Sequence, residues 1–103
     1  MTDPMRVRAV MTGDKVEVKI LMQHVMETGQ RKDADGNVVP AHYIVKVTAN
    51  CKGREVLSAD WGPSVSKNPY LAFRFKGAAK GDKVSITWSD TAGESRTDEV
   101  TIA

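Results

Sequence analysis

The sequence predicts an all-β chain, an immunoglobulin-like antiparallel β-sandwich of about seven strands. Three observations carry this. Apolar residues recur at alternate positions in short runs, as they do in strands with one buried face. Clusters of Gly, Asp, Asn and Pro punctuate those runs. No segment shows the apolar period of a long amphipathic helix.

Met5, Val7, Ala9 and Met11 alternate with Arg6, Arg8 and Val10, and Thr12-Gly13-Asp14 turns the chain. Val16, Val18, Ile20 and Met22 repeat the pattern, so the two runs predict a hairpin with one face inward. Residues 23–42 break the alternation with Gly29, the cluster Asp33-Ala34-Asp35-Gly36-Asn37, and Pro40. So long a connection is usually functional or carries a small hairpin of its own. Gly36 is expected at a positive-φ turn position within it. The next strand reads with Tyr43, Val45, Val47, Ala49 and Cys51 on one face and Ile44, Lys46, Thr48 and Asn50 on the other. Lys52-Gly53-Arg54 then turns the chain into a short strand over 56–61.

Residues 62–69 read as a loop, because Gly62, Pro63 and Pro69 remove donors and fix dihedrals. Leu71, Phe73 and Phe75 mark an inward face, and 77–82 a turn. Val84, Ile86 and Trp88 alternate with Ser85, Thr87 and Ser89, and Asp90-Thr91-Ala92-Gly93 is a hairpin turn. The last strand, 94–102, has only Val100 and Ile102 clearly apolar, and such polarity suits a sheet edge. The cysteine–tryptophan–cysteine pattern of antibody domains is absent.

At 103 residues the chain supports one core, hence a single domain over 1–103. Apolar residues make up 41%, which argues against disorder. With 15 basic and 13 acidic side chains the charge is nearly balanced, unlike a nucleic-acid binder with a clustered basic face. Arg6, Arg8, Lys15 and Lys19 read instead as a solvated strand face. The lone Cys51 rules out an internal disulfide, and its place in the alternation makes it a buried, inert residue. Residues 1–12 carry Arg6 and Arg8 and no long apolar run, so no signal peptide is read. No stretch has the length of a membrane span. Taken alone, these features point to the cytoplasm.

A hydrolytic triad needs a nucleophile, a base and an orienting acid. His24 and His42 are the only histidine bases, and no enzyme and no catalytic residue is expected. Two histidines and one cysteine fall short of a four-ligand zinc site, and of iron sites on related sandwiches that need several histidines plus a cysteine. No metal and no cofactor is therefore expected. Asp33, Asp35 and Asn37 match the first three ligands of an EF-hand, but Val38 and Ile44 stand where glycine and glutamate are required. Gly77, Gly81 and Gly93 lie in separate turns and build no phosphate cradle. Trp61 and Tyr70 flank the proline loop, where packing is the first reading and an interface the second.

Two loops are distinctive as written: His24-Val25-Met26-Glu27-Thr28-Gly29, and Trp61-Gly62-Pro63-Ser64-Val65-Ser66-Lys67-Asn68-Pro69-Tyr70. With Lys80-Gly81-Asp82-Lys83-Val84 and Trp88-Ser89-Asp90, they make the chain resemble the SoxZ family from about Met5 to Ile102. SoxZ is a subunit of the SoxYZ carrier complex of bacterial thiosulfate oxidation. The resemblance implies an immunoglobulin-like sandwich that forms a heterodimer with a SoxY carrier. The carrier's C-terminal Gly-Gly-Cys-Gly-Gly arm would hold sulfur intermediates on its cysteine. This chain is read to Thr101-Ile102-Ala103 without such an arm, so it is expected to be the carrier's partner. The resemblance also implies a periplasmic location, reached by co-export with a signal-bearing SoxY, and transient contacts with other Sox enzymes. Partner binding is expected at His24, Met26, Glu27, Thr28, Gly29, Trp61, Ser66, Lys67, Asn68 and Pro69. The competing reading is that these loops only cap the sandwich. The alternative functions are a small metal or redox protein and a generic ligand-binding module. The first would carry bound metal, and the second would lack a dedicated partner.

Overall fold

Each alternating run becomes a strand in the computed structural model, which describes residues 3–62 and 64–103. The strands are β1 (Arg6–Thr12), β2 (Lys15–Leu21), β3 (Ile44–Cys51), β4 (Arg54–Asp60), β5 (Tyr70–Lys76), β6 (Lys83–Asp90) and β7 (Ser95–Thr101). They form two antiparallel sheets, β1-β2-β5 and β4-β3-β6-β7. No helix occurs among the described residues. The all-β sandwich read from the sequence is the observed architecture.

The core lies between the two sheets. Val16, Val18 and Ile20 of β2 are fully buried in one cluster with Val47 and Ala49 of β3 and Val84, Ile86 and Trp88 of β6. Each valine or isoleucine among them contributes roughly 1.5–3 kcal/mol relative to exposure. These are the inner strands, covered on both flanks by neighbours, and so they carry the strongest alternation. β7 is an edge strand, as its polarity predicts. The side near β7 is closed through residue 103: Ala103 donates to the carbonyl of Ala9 (2.9 Å), and Met11 donates to that of Ala103 (3.0 Å).

One face assignment is corrected. The pairing of β3 with β6 shifts between Ile44 and Lys46. The irregularity turns Ile44 into the core, while Tyr43 and Val45 are only half-buried. Strict alternation places Ile44 outward because it has no means of registering an inserted residue. β4 also begins at Arg54, ahead of the predicted start. Lys52 and Gly53 both have positive φ (55° and 74°) and make a tight two-residue turn.

The long connection carries its own small hairpin. Lys32 bridges Val38, and Asp33 donates to the carbonyl of Asn37 at 2.9 Å. Asp33 Oδ1 accepts the amides of Asp35 (2.9 Å) and Asn37 (3.0 Å), and Gly36 has φ 83°. The acidic cluster is thus organised as a turn.

Candidate functional site

Three segments distant in sequence meet at one end of the sandwich: 22–30, 67–69 and the β6–β7 hairpin. Met22 donates to the carbonyl of Pro69 (2.9 Å), and Asn68 donates to that of His24 (3.0 Å). The Asn68 side-chain oxygen accepts the His24 amide at 3.1 Å. Asn68 sits at φ 51°, a left-handed position that asparagine tolerates better than most residues. The 23–42 segment folds back where Glu27 and His42 exchange backbone hydrogen bonds of 2.7 and 2.9 Å. Gly29 is required there. Its φ is 88°, and a Cβ would lie 3.1 Å from that of Ala41.

Asp90 anchors the cluster. Its Oδ1 accepts the amides of Ala92 (3.0 Å) and Glu94 (2.9 Å), closing the hairpin. Its Oδ2 lies 2.9 Å from His24 Nε2 and 2.8 Å from His42 Nε2. His24 Nδ1 accepts the Met26 amide at 3.1 Å, which assigns the ring proton to Nε2, facing Asp90. Burial pushes the Asp90 carboxyl up. The hydrogen bonds from His24, the Glu94 backbone and His42 outweigh it and hold the group below its ordinary value. The His24 ring meets Trp88 and His42 edge-on, at centroid distances of 5.1 and 4.7 Å. Met26, buried at φ 50°, accepts the Ile44 amide on its sulfur at 3.4 Å.

A cleft of about 250 Å³ opens beside the cluster, lined in part by His24, His42, Lys67, Asn68, Trp88 and Glu94. The Trp88 Nε1 donor is buried without a hydrogen-bond partner. A second recess lies among Val25, Met26, Glu27, Thr28, Arg31 and Lys67, so Lys67 borders both. There Arg31 grips the Glu27 carboxylate through Nε and one terminal nitrogen (3.1 and 2.7 Å), holding that carboxyl below its usual range. Val25 points outward, 46% exposed.

Most residues singled out from the sequence gather here, in two roles. His24, Met26 and Pro69 are buried and hold the loops, whereas Thr28, Ser66, Lys67 and Asn68 are exposed. Glu27 and Gly29 are intermediate. Trp61 packs against the core and lines neither recess, and its amide donates to the Val45 carbonyl at 2.8 Å. Pro63 falls outside the described residues. Sequence reasoning did not see that Asp90 joins both histidines. The only hint was its place at the end of the Trp88-Ser89-Asp90 stretch. Cys51 is 3% exposed, and burial raises its thiol pKa. It pairs with Val84, six residues along β6 from Asp90, which is about 20 Å. A Cys51–histidine pair is therefore ruled out.

The profile of the family described as Sulphur oxidation protein SoxZ matches residues 5–101. The chain belongs to the SoxZ family. It is accordingly a sulfur oxidation protein, and the loops of this SoxZ chain that form the site lie inside the matched region. No curated protein matches the chain. Among solved structures it is similar to the hypothetical protein PH1083 from Pyrococcus horikoshii OT3, at 17% identity and TM-score 0.66, covering 98% of this chain and 88% of the other. It is also similar to a superoxide reductase in the oxidised state, at 16% identity and TM-score 0.60, covering 96% and 86%. A third is the superoxide reductase (neelaredoxin) from Archaeoglobus fulgidus, at 18% identity and TM-score 0.57, covering 99% and 87%. At these identities the likeness is one of fold alone.

Proposed function

We propose that this SoxZ-family chain is a non-catalytic binding subunit. It partners a SoxY-type sulfur carrier and helps present the carrier's cysteine arm to Sox enzymes. One observation carries the reading: the two distinctive loops, far apart in sequence, are stitched together at one end of a rigid sandwich. The stitched surface turns Val25, Thr28, Ser66 and Lys67 outward on a backbone fixed by hydrogen bonds. A preorganised surface loses little conformational freedom on docking. The histidines support the same reading. Among the described residues their ring nitrogens hydrogen-bond to Asp90 and the Met26 amide, and not to a hydroxyl or thiol that could serve as nucleophile. Work in the periplasm, with export alongside a signal-bearing carrier, belongs to the same proposal.

Co-expression with a SoxY-type carrier ending in a Gly-Gly-Cys-Gly-Gly arm tests it. The two chains are expected to co-purify in equal amounts from the periplasmic fraction. Lys67→Ala together with Val25→Asp should weaken the complex about tenfold, roughly 1.4 kcal/mol, without lowering the melting temperature. Unchanged binding by that variant would remove this end of the sandwich as the docking surface.

A further inference from the structure

We propose that the outward face of the β1-β2-β5 sheet is a docking surface for a carboxylate-rich face of a second protein, met transiently. The register shows the face. Alternate residues of the three strands stand side by side and point to solvent, among them Arg6, Arg8, Lys15, Lys19, Arg74 and Lys76. β5 thus adds two cations to the four that the first hairpin carries by itself. Glu17 is the one acidic residue on the outward face of these strands. Six cations against one anion give the face a net +5 on a chain whose total is +2, so the rest of the molecule is net negative.

Folding alone does not favour this arrangement. Arg8 stands directly opposite Lys19, and Lys15 directly opposite Lys76. Like charges in that relation destabilise a sheet. A face that is merely solvated intersperses both signs. Here the single Glu17 carboxylate is shared by Lys19 at 3.4 Å and Arg74 at 2.9 Å, and Lys76 reaches Asp14 at the rim, 3.6 Å away. Arg6, Arg8 and Lys15 make no ion pair among the described residues. Their uncompensated charge faces outward. The planar fork of each arginine suits a carboxylate, which it binds through two parallel hydrogen bonds.

Shape and composition choose the partner. Tyr70 and Leu21, 61% and 38% exposed, lie in one row with Arg6. A shallow recess of about 310 Å³ runs beside them, lined in part by Arg8 and Lys19. Tyrosine and arginine are the residues that most often anchor protein–protein contacts. A single-stranded nucleic acid would stack successive bases on several aromatics, and this face offers only Tyr70. A membrane would be met by an apolar stripe able to enter the acyl boundary, which a flat sheet of charged residues does not supply. The face extends roughly 20 Å along the strands and 10 Å across them, the scale of a transient contact rather than of a permanent subunit interface. Opposite charge also speeds such an encounter. Leu21 and Tyr70 adjoin Met22 and Pro69, so a protein seated here lies beside the stitched loops without using them.

The test adds a glutamate-rich peptide, a thymidine oligonucleotide of equal charge, or phosphatidylglycerol vesicles to isotopically labelled full-length chain at low ionic strength. The peptide should shift the backbone NMR signals of β1, β2 and β5, and the effect should fade at physiological salt, where the Debye length is about 8 Å. Arg8→Glu should weaken peptide binding about tenfold. It also gives the Arg8–Lys19 pair opposite signs, so the melting temperature should hold or rise, and the weaker binding is then not a loss of fold. Arg6→Lys together with Arg8→Lys keeps the charge but removes the forks, and should weaken binding severalfold. No peptide binding, shifts confined to other strands, or binding unchanged by either set of substitutions would overturn the surface. Tighter binding of the oligonucleotide or the vesicles would overturn it too. The sulfur carrier takes no part in this experiment, so its result is independent of whether the carrier-binding reading stands.

Discussion

Replacing Asp90 with alanine removes the acceptor for four hydrogen bonds at once. The two hairpin amides and His42 lie near the surface and can turn to water, so each costs about 0.5–1.5 kcal/mol net. His24 cannot, because its side chain is 4% exposed. A buried donor left without a partner costs about 1–3 kcal/mol. Together these span roughly 2.5–7.5 kcal/mol, and the ~3–5 kcal/mol typical of removing one member of a buried charged pair falls inside that span. That is a large share of the 5–15 kcal/mol typical of a domain. Urea denaturation, followed by tryptophan fluorescence, measures it directly. Trp88 packs against His24, so its emission also reports whether the cluster has opened. The midpoint should fall by about 1–3 M at unchanged slope. A loss below about 1 kcal/mol at unchanged slope would refute the claim that Asp90 holds the three segments together.

Three further outcomes follow from the same structure. Ile86→Ala opens a cavity at the centre of the core and should cost about 2–5 kcal/mol by the same denaturation assay. Cys51 should resist a thiol reagent in native protein and react fully in urea, since burial and Asp82 both raise its pKa; rapid labelling of native protein would contradict its burial. The Asp98 carboxyl is held below its ordinary value by Arg96 and by the Met5 amide, against the effect of burial. Its stabilisation is therefore present above the unfolded value, near ~3.9, and is lost as pH falls through the lower folded value. Asp98→Asn should lower stability at neutral pH and flatten the acid limb of the stability–pH curve, as read by melting temperature from pH 2 to 7.

Much of the fold was legible because alternation is a local pattern. Val16, Val18 and Ile20, and likewise Val84, Ile86 and Trp88, announce buried faces from their own spacing, and their strands lie where that spacing puts them. The polarity of residues 94–102 marked an edge strand for the same reason. Gly36 in its acidic cluster marked a turn, because few other residues hold positive φ at no cost. The two distinctive loops also stood out as text, though their text does not say that one is hydrogen-bonded to the other.

The sequence by itself therefore determined the strands, the single core, the buried thiol and the family resemblance. These rest on residue chemistry and short-range periodicity, which any stretch of chain carries with it. Only the tertiary structure decided that Ile44 turns inward, since a bulge depends on the register of the partner strand. Only it brought His24 to Asp90 across 66 residues and His42 to the same oxygen across 48. A histidine in a loop and an aspartate in a turn look ordinary in isolation. They become a site once sheet packing excludes water and leaves each the other's available partner.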